Sequence, residues 1–459
     1  PDDPRPVHFM GVAGAGMSAL ALLARRRGVA VTGCDRDAEG AGGAASSADV
    51  RRAGGTVVAG HDPSHLDGVR AVVVSSAVPP DHPELERARE LGLPVVRRAE
   101  ALAAAISPGR VVAVAGTHGK TTTTVMTTEA LAAAGLNPTG IAGGRVASWG
   151  GNARIGGDDL FVVEADEYDR SFLALTSQVA VINNVEADHL ECYGSMDALE
   201  KAFAKFAGPA RRVIVGGDDA TALKVAGMAG RPTWTVGLSA TADVRIQVVE
   251  RAEGRSVATV TLPGGRAVEL RLRVPGLHNV RNAAAALAVA VELGAPLGPV
   301  LGALSEFAGV GRRFELVGES QGVVVVDDYA HHEGEISATL EGARQAYPTR
   351  RLVGVFQPHL FSRTRDHGVA MGRALAAADV VVVADVYPAR EAPIPGVTGE
   401  VVVRAAEAAG AKQVVWVPRR GELAERVRDL SSPGDLILTM GAGDVTTVGR
   451  ELLNLLVRR

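Results

Sequence analysis

The run Val111-Val112-Ala113-Val114-Ala115 leads straight into Gly116-Thr117-His118-Gly119-Lys120-Thr121-Thr122-Thr123, and an Ala- and Leu-bearing segment follows. A β-branched run, a glycine turn, Lys-Thr and then a helix former dictate a strand, a tight loop and a helix start. That order aims backbone N–H groups at an anion. The common eight-residue form of this loop has glycine where Val114 stands, so the first usable glycine is Gly116. Gly116, Thr117, His118, Gly119, Lys120, Thr121 and Thr122 are therefore the expected phosphate cradle. Lys120 would reach the β/γ-phosphates as a point charge, and the Thr121 hydroxyl would sit on Mg²⁺. The chain reads as a user of ATP.

At 459 residues the chain is too long for one core. Short valine-rich runs alternate with Ala/Leu-rich segments, the pattern of α/β folds with parallel sheets. Three blocks are expected, at 1–107, 108–309 and 310–459. Their strands include Val7 to Met10, Ala71 to Val74, Val179 to Ile182, Val323 to Val326, Leu352 to Phe356 and Val380 to Val383. A hairpin is expected from Val257 to Val274, turned at Pro263-Gly264-Gly265. A net charge of −4 gives no support to a nucleic-acid role. Two cysteines, Cys34 and Cys192, form no framework and fit a reducing cytoplasm. No secretory leader is read at the start, and no apolar run nears the ~20 residues of a membrane span.

The first block opens with Gly11-Val12-Ala13-Gly14-Ala15-Gly16-Met17-Ser18-Ala19, with Asp35 ending the next strand. This is close to the dinucleotide fingerprint, and its physics reads a pyrophosphate without deciding between NAD and another diphosphate. In the second block, Glu164-Ala165-Asp166-Glu167 and Asn183 to His189 each end a strand, where ligands collect in open sheets. Glu164 and His189 are candidate Mg²⁺ ligands beside Thr121. Asp166 and Glu167 read equally as solvated loop charges, and Cys192 reads as a packed residue. Asn279 reads as a helix N-cap or, with Asn282, as a reader of the adenine edge. In the third block, Asp327 to His332 and Gln357 to Arg365 follow strands and mix acid, imidazole and guanidinium. Arg363 suits a carboxylate. Arg312-Arg313 follows a glycine-flanked hinge near Gly309, and the surroundings of Asp379 and Arg390 read as surface charge.

Taken together, these segments resemble the Mur ligases, ATP-dependent amide-forming enzymes of peptidoglycan synthesis, from Gly11 to Gly443. The segments Gly11 to Ser18, Gly116 to Thr124, Asp327 to His332, Gln357 to Arg365, Tyr387 to Glu391 and Pro395 to Thr398 resemble the branch acting on UDP-N-acetylmuramate and L-alanine. Departures from the usual wording are Tyr168, Glu191, Glu333-Gly334 and Leu360. The resemblance implies a Rossmann-like N-terminal domain, a P-loop central ATPase domain with a mainly parallel sheet, and a Rossmann-like C-terminal domain. It implies ATP and Mg²⁺, the small-molecule substrates UDP-N-acetylmuramate and L-alanine, and a monomer or homodimer. By the resemblance, Gly14, Ala15, Gly16, Met17, Ser18, Asp35, Ser76, Asn152 and Arg154 bind the UDP-sugar, the last two from the loop after Gly143-Gly144. Asn279, Asn282, Arg313 and Asp328 complete the ATP site. Tyr329, His331 and Arg363 face the amino acid, and Lys120, His189 and Arg363 are catalytic. Two alternatives are a murein-recycling ligase that attaches a preformed peptide, and an NAD-dependent oxidoreductase built on the first loop.

Overall fold

The computed structural model describes residues 3–40, 43–75, 78–252, 255–389 and 391–457. Ser76 and Arg390 lie outside the described residues. Among the described residues, three sheets carry the fold. The first contains β1 Val7–Met10, β2 Val31–Asp35, β3 Thr56–Ala59, β4 Ala71–Val74 and β5 Val95–Arg97, in the order β3-β2-β1-β4-β5. All its neighbours pair in parallel, because crossovers such as the helix Ala15–Arg26 return the chain to the same end of the sheet before the next strand. The order reverses direction between β1 and β4. A crevice is expected outside their C-terminal ends, where Gly11 and Ser75 come together.

The second sheet has ten strands: β6 Arg110–Ala115, β7 Thr139–Val146, β8 Gly151–Arg154, β9 Leu160–Glu164, β10 Val179–Ile182, β11 Arg212–Gly216, β12 Thr233–Gly237, β13 Val244–Ala252, β14 Arg255–Thr261 and β15 Ala267–Leu272. Its order is β15-β14-β13-β12-β11-β10-β6-β9-β7-β8. β6 lies between β10 and β9 and runs parallel to both. It is buried from Val111 to Ala115, as a valine-rich run covered on both faces should be. The expected hairpin is present as β14 and β15, with Gly264 and Gly265 both at positive φ in its turn.

The third sheet holds β16 Glu315–Ser320, β17 Val323–Asp328, β18 Arg351–Phe356, β19 Val380–Ala384, β20 Val414–Val417 and β21 Asp435–Met440, in the order β16-β17-β21-β18-β19-β20. Only the edge pair β16–β17 is antiparallel among its described pairings. By packing, the chain forms two compact units. One comprises 1–247, 259–270 and 281–306, and the other 248–258, 271–280 and 307–459. A single apolar core in the first unit runs from Phe9 and Leu20 to Phe161, Phe203 and Phe206, so the first two sheets share buried surface. In the second unit, layers of Val and Leu cover both faces of the third sheet. Asp379, expected as surface charge, is instead half-buried. It binds Arg344 and Lys412 and accepts the Leu352 N–H. Burial opposes its charge, and those donors outweigh it, holding the carboxyl down at about 2.

Candidate active site

The loop after β6 is framed by two glycines in backbone conformations that other residues avoid. Gly116 has φ +136° and Gly119 φ +78°. A Cβ on Gly116 would sit 3.0 Å from the Asn183 Cβ, and one on Gly119 would sit 2.6 Å from the Asn282 amide oxygen. The loop is therefore pressed against the end of β10 and against the helix Leu277–Glu292. Asn184 locks it further. Its carbonyl accepts from the Thr117 N–H at 3.1 Å, and its side-chain oxygen accepts from the His118 N–H at 2.7 Å. Asn183 donates to the His118 carbonyl and to the Thr123 hydroxyl. The helix Lys120–Ala133 starts here with Thr121 and Thr122 buried in its first turn.

Lys120 lies over its own loop. Its ammonium donates to the Gly116 carbonyl at 2.7 Å, the Thr117 carbonyl at 3.2 Å and the Glu167 carboxylate at 2.8 Å. Burial works against the charge, but Glu167, Asp166 and Glu164 together hold the ammonium above its ordinary value. Glu167 is only 2% exposed, which corrects its reading as a solvated loop charge. Burial pushes its carboxyl up while Lys120 pulls it back. One Glu167 oxygen is buried with no hydrogen-bond partner among the described residues. An acid with an unsatisfied oxygen, held against the loop lysine, marks a place built for further positive charge.

Glu164 ends β9, and the Gly143 N–H donates to its carboxylate at 2.5 Å. A side chain at position 143 would collide, since a Cβ there would fall 2.6 Å from a Glu164 oxygen. His189 opens the short helix Leu190–Tyr193 from a left-handed conformation, φ 54°. Its ring meets Tyr168 edge-on at 5.1 Å and Asp188 at 3.6 Å. Because β9, β6 and β10 are neighbours, Glu164, the Lys120–Thr121 turn and the segment leading to His189 leave the same end of the sheet. A hydroxyl and a carboxylate are the hard oxygen donors that Mg²⁺ takes, so Thr121 and Glu164 fit that ion.

Asn279 is not an N-cap. The helix begins at Leu277, which places Asn279 in its first turn, where its amide donates to the Pro275 carbonyl at 2.7 Å. Cys192 is half-buried and packs against the apolar core, as expected.

In the first sheet, Gly14 precedes the helix Ala15–Arg26, and the Ala13 N–H donates to Asp35 at 3.0 Å. Asp35 also accepts the Asp37 N–H, so it fixes the glycine loop's shape. Asn152 and Arg154 lie on β8 and not in a loop. Asn152 is buried and bonds the Ala15 carbonyl and the Ser18 hydroxyl, tying the glycine loop to the central sheet. Arg154 donates to the Pro138 carbonyl at 2.6 Å. Arg98 went unnoticed in the sequence. Its guanidinium lies against Gly16, where a Cβ would fall 2.7 Å from it, so a cation stands at the first turn of the helix that follows the glycine loop. The signal available was the pair Arg97-Arg98, which ends β5 and opens the following helix. Arg98 also lines a cleft with Glu100, Asp169 and Arg170. Asp169 and Arg170 both have left-handed backbones, a strain that concentrates at working sites.

In the second unit, Asp328 accepts the Phe314 and Ala330 N–H groups, each at 2.7 Å. Burial raises its carboxyl to about 6, against the pull of Arg313. Arg313 pairs with Glu335 at 3.4 Å, and both Arg312 and Arg313 lie over the Tyr329 ring. The rings continue from Tyr329 to His331 at 5.2 Å, then to His359 at 6.3 Å and to Tyr387 at 5.7 Å. Arg363 is half-buried in the first turn of the helix Phe361–Leu375, whose N-cap Leu360 is held at φ 67°. His359 and Tyr387 join the expected Tyr329 and His331, and the strand-end Gln357 anchors the group through Asp444 and the Val445 N–H.

Residues 6–110 match the model described as the Mur ligase family catalytic domain, 114–290 the Mur ligase middle domain, and 312–443 the Mur ligase glutamate ligase domain. The UDP-N-acetylmuramate–L-alanine ligase of Streptomyces griseus is 45% identical over 455 residues, covering 97% of this chain and 96% of that one. The enzyme of the same name from Kineococcus radiotolerans is 48% identical, covering 99% and 96%. The crystal structure of UDP-N-acetylmuramate–alanine ligase from Thermotoga maritima superposes with a TM-score of 0.82 at 30% identity, covering 98% of each chain. A murein peptide ligase from Psychrobacter arcticus superposes at 0.73 with 26% identity, also covering 98% of each. With three domain models matched in order and relatives aligned over nearly the full length, the chain belongs to the Mur ligase family.

Proposed function

We propose that this chain is an ATP-dependent ligase that joins L-alanine to the lactyl carboxylate of UDP-N-acetylmuramate, forming a C–N bond in peptidoglycan precursor synthesis. The observation that carries the chemistry is the Gly116–Thr122 loop with Lys120 held charged in it by Glu167. The relatives at 45% and 48% identity carry the substrate assignment.

A carboxylate does not react with an amine at neutral pH, because oxide is too poor a leaving group. The sugar carboxylate therefore attacks the γ-phosphorus of ATP, and ADP leaves. The neutral amine of alanine attacks the resulting acyl phosphate, and inorganic phosphate departs. Lys120 and the loop N–H groups spread the charge on the phosphoryl group in transit. We assign Thr121, Glu164 and His189 to Mg²⁺, which would neutralise the phosphate oxygens when bound. We assign Asn282, which packs on Gly119, to the nucleotide, together with Asn279, Arg313 and Asp328. Gly14 to Ser18, Asp35, Asn152 and Arg154 are assigned to the UDP-sugar, with Arg98 supplying charge for its diphosphate. Tyr329, His331 and Arg363 are assigned to alanine, where Arg363 can fork onto the carboxylate. Holding three substrates in line can supply on the order of 7–11 kcal/mol of the barrier reduction. The division of labour is thus 1–107 for the UDP-sugar, 108–309 for ATP and 310–459 for the amino acid. We place the enzyme in the cytoplasm, where ATP is available and where the reducing milieu suits Cys34 and Cys192, which are not joined in a disulfide.

The test is incubation of the purified chain with UDP-N-acetylmuramate, ATP, Mg²⁺ and each amino acid, read by the mass of the nucleotide product. A product heavier by one alanyl residue is expected. Preference for a preformed tripeptide over L-alanine would move the chain to the recycling ligases, and no UDP-sugar-dependent phosphate release would overturn the proposal.

A further inference from the structure

One face of the first sheet carries a buried polar cluster that the ligase chemistry does not use. In the parallel register His8 faces Thr32 and Met10 faces Cys34, so His8 and Cys34 point to the same side. Met10, Leu66, Val69, Val72, Val74 and Leu85 pack around them, with Thr32, His61 and His82 also against the cluster. The 3₁₀ turn Pro63–Leu66 brings His65 onto it, and the helix Pro83–Glu90 brings Glu84. His8 is 1% exposed, Cys34 0% and Glu84 0%. Four separate stretches of chain thus deliver two imidazoles, a thiol and a carboxylate to one largely buried place, with the His65 side chain 20% exposed.

One ligand atom from each of His8, Cys34, His65 and Glu84 lies within 4.8 Å of all the others. Individual separations are shorter. The His8 Nε2 is 3.2 Å from the Cys34 sulfur, that sulfur is 3.3 Å from a Glu84 oxygen, and His65 Nδ1 is 3.0 Å from the same oxygen. Tetrahedral zinc, with bonds of about 2.3 Å to sulfur and 2.0–2.2 Å to nitrogen or oxygen, sets ligand atoms roughly 3.3–3.6 Å apart. These three separations lie within a few tenths of an ångström of that range, and the remaining pairs lie within 4.8 Å, so binding would draw the cluster inward. Outer contacts are also in place. His8 Nδ1 is 2.9 Å from the Thr32 hydroxyl, which leaves Nε2 to face the cluster, and His61 Nδ1 is 3.1 Å from the other Glu84 oxygen. Such partners orient metal-bound imidazoles and carboxylates. A lone S–H hydrogen, by contrast, can satisfy only one of the neighbours crowding this sulfur, which include His61 at 3.2 Å.

We propose that His8, Cys34, His65 and Glu84 form a closed site for a zinc-class divalent cation that pins the Pro63–Leu66 turn and the Pro83–Glu90 helix onto the first sheet. A thiolate with imidazoles and a carboxylate in tetrahedral disposition selects Zn²⁺ over Mg²⁺. Four protein ligands leave no open position, so the ion is structural.

The test is titration of the full chain, stripped of metal by chelation, with Co²⁺ alone. One equivalent is expected to bind per chain, giving the intense tetrahedral visible bands and a sulfur-to-cobalt charge-transfer band that Zn²⁺ then bleaches. The charge-transfer band should vanish in Cys34→Ser and persist in Cys192→Ser. His65→Gln should weaken binding by more than about tenfold. Zn²⁺ should also raise the melting temperature of the wild type and not that of His65→Gln. This readout on the wild type decides the matter if Cys34→Ser does not fold. Folded wild type with no charge-transfer band, or a band that follows Cys192, would overturn the proposal in favour of a hydrogen-bonded cluster.

Discussion

Lys120 shows how a single residue joins sequence to chemistry. The Gly-Lys-Thr wording places a lysine at a helix start, but only folding gives it Glu167, 47 positions later, as a buried partner. Lys120→Ala is expected to lower kcat/KM by at least about 100-fold, the scale of losing one preorganised charge on a reacting group. The fold should survive, and far-UV circular dichroism alongside phosphate release would check both. Asp328 makes a pH-dependent prediction. Burial raises its carboxyl to about 6 in the folded protein, above the unfolded value near 4. The folded chain therefore holds this proton while the unfolded chain has lost it. The stability so gained is full at low pH and is lost as pH rises through about 6. Against Asp328→Ala, the wild type should lose about 1.4 kcal/mol of relative stability between about pH 5 and pH 7, measured by urea melts. A pH-independent difference would contradict the buried-acid account.

At the scale of elements, the loop between β6 and the helix Lys120–Ala133 is the unit that acts. Gly119→Ala meets two penalties, a left-handed backbone at φ +78° and a Cβ 2.6 Å from the Asn282 oxygen. Strain of this kind costs roughly 1–2 kcal/mol, and the second penalty pushes Asn282 away from the nucleotide. Gly150→Ala is the control, since Gly150 also has positive φ but nothing within 4 Å. Gly119→Ala should lose at least as much stability as Gly150→Ala, and only Gly119→Ala should raise KM for ATP. The most legible strands are valine-rich runs buried on both faces, as in Val179–Ile182 and Val380–Ala384. Helix starts were less so. Asn279 resembles a cap by composition, yet the helix begins two residues earlier because Pro275-Gly276 ends the preceding segment.

For the whole molecule, substrate binding should appear as stability. A ligand that binds only the folded chain at 100 times its Kd adds about 2.7 kcal/mol. ATP with Mg²⁺, and UDP-N-acetylmuramate separately, should each raise the melting temperature, and Lys120→Ala should lose most of the ATP shift and keep the UDP-sugar shift. Equal shifts in both proteins would detach the loop from nucleotide binding. What the sequence alone determined is the alternation of strand and helix, the two glycine loops and the polar residues at strand ends. These follow from local rules of periodicity, turn geometry and charge, which need no knowledge of distant partners. Only the tertiary structure decided that Glu167 is buried on Lys120, that Arg98 lies over Gly16, that Asn152 ties two sheets together, and that His8, Cys34, His65 and Glu84 converge. Each of those depends on which strands become neighbours. Strand order is set by burial and crossover handedness across the whole chain, and no single window of residues contains that information.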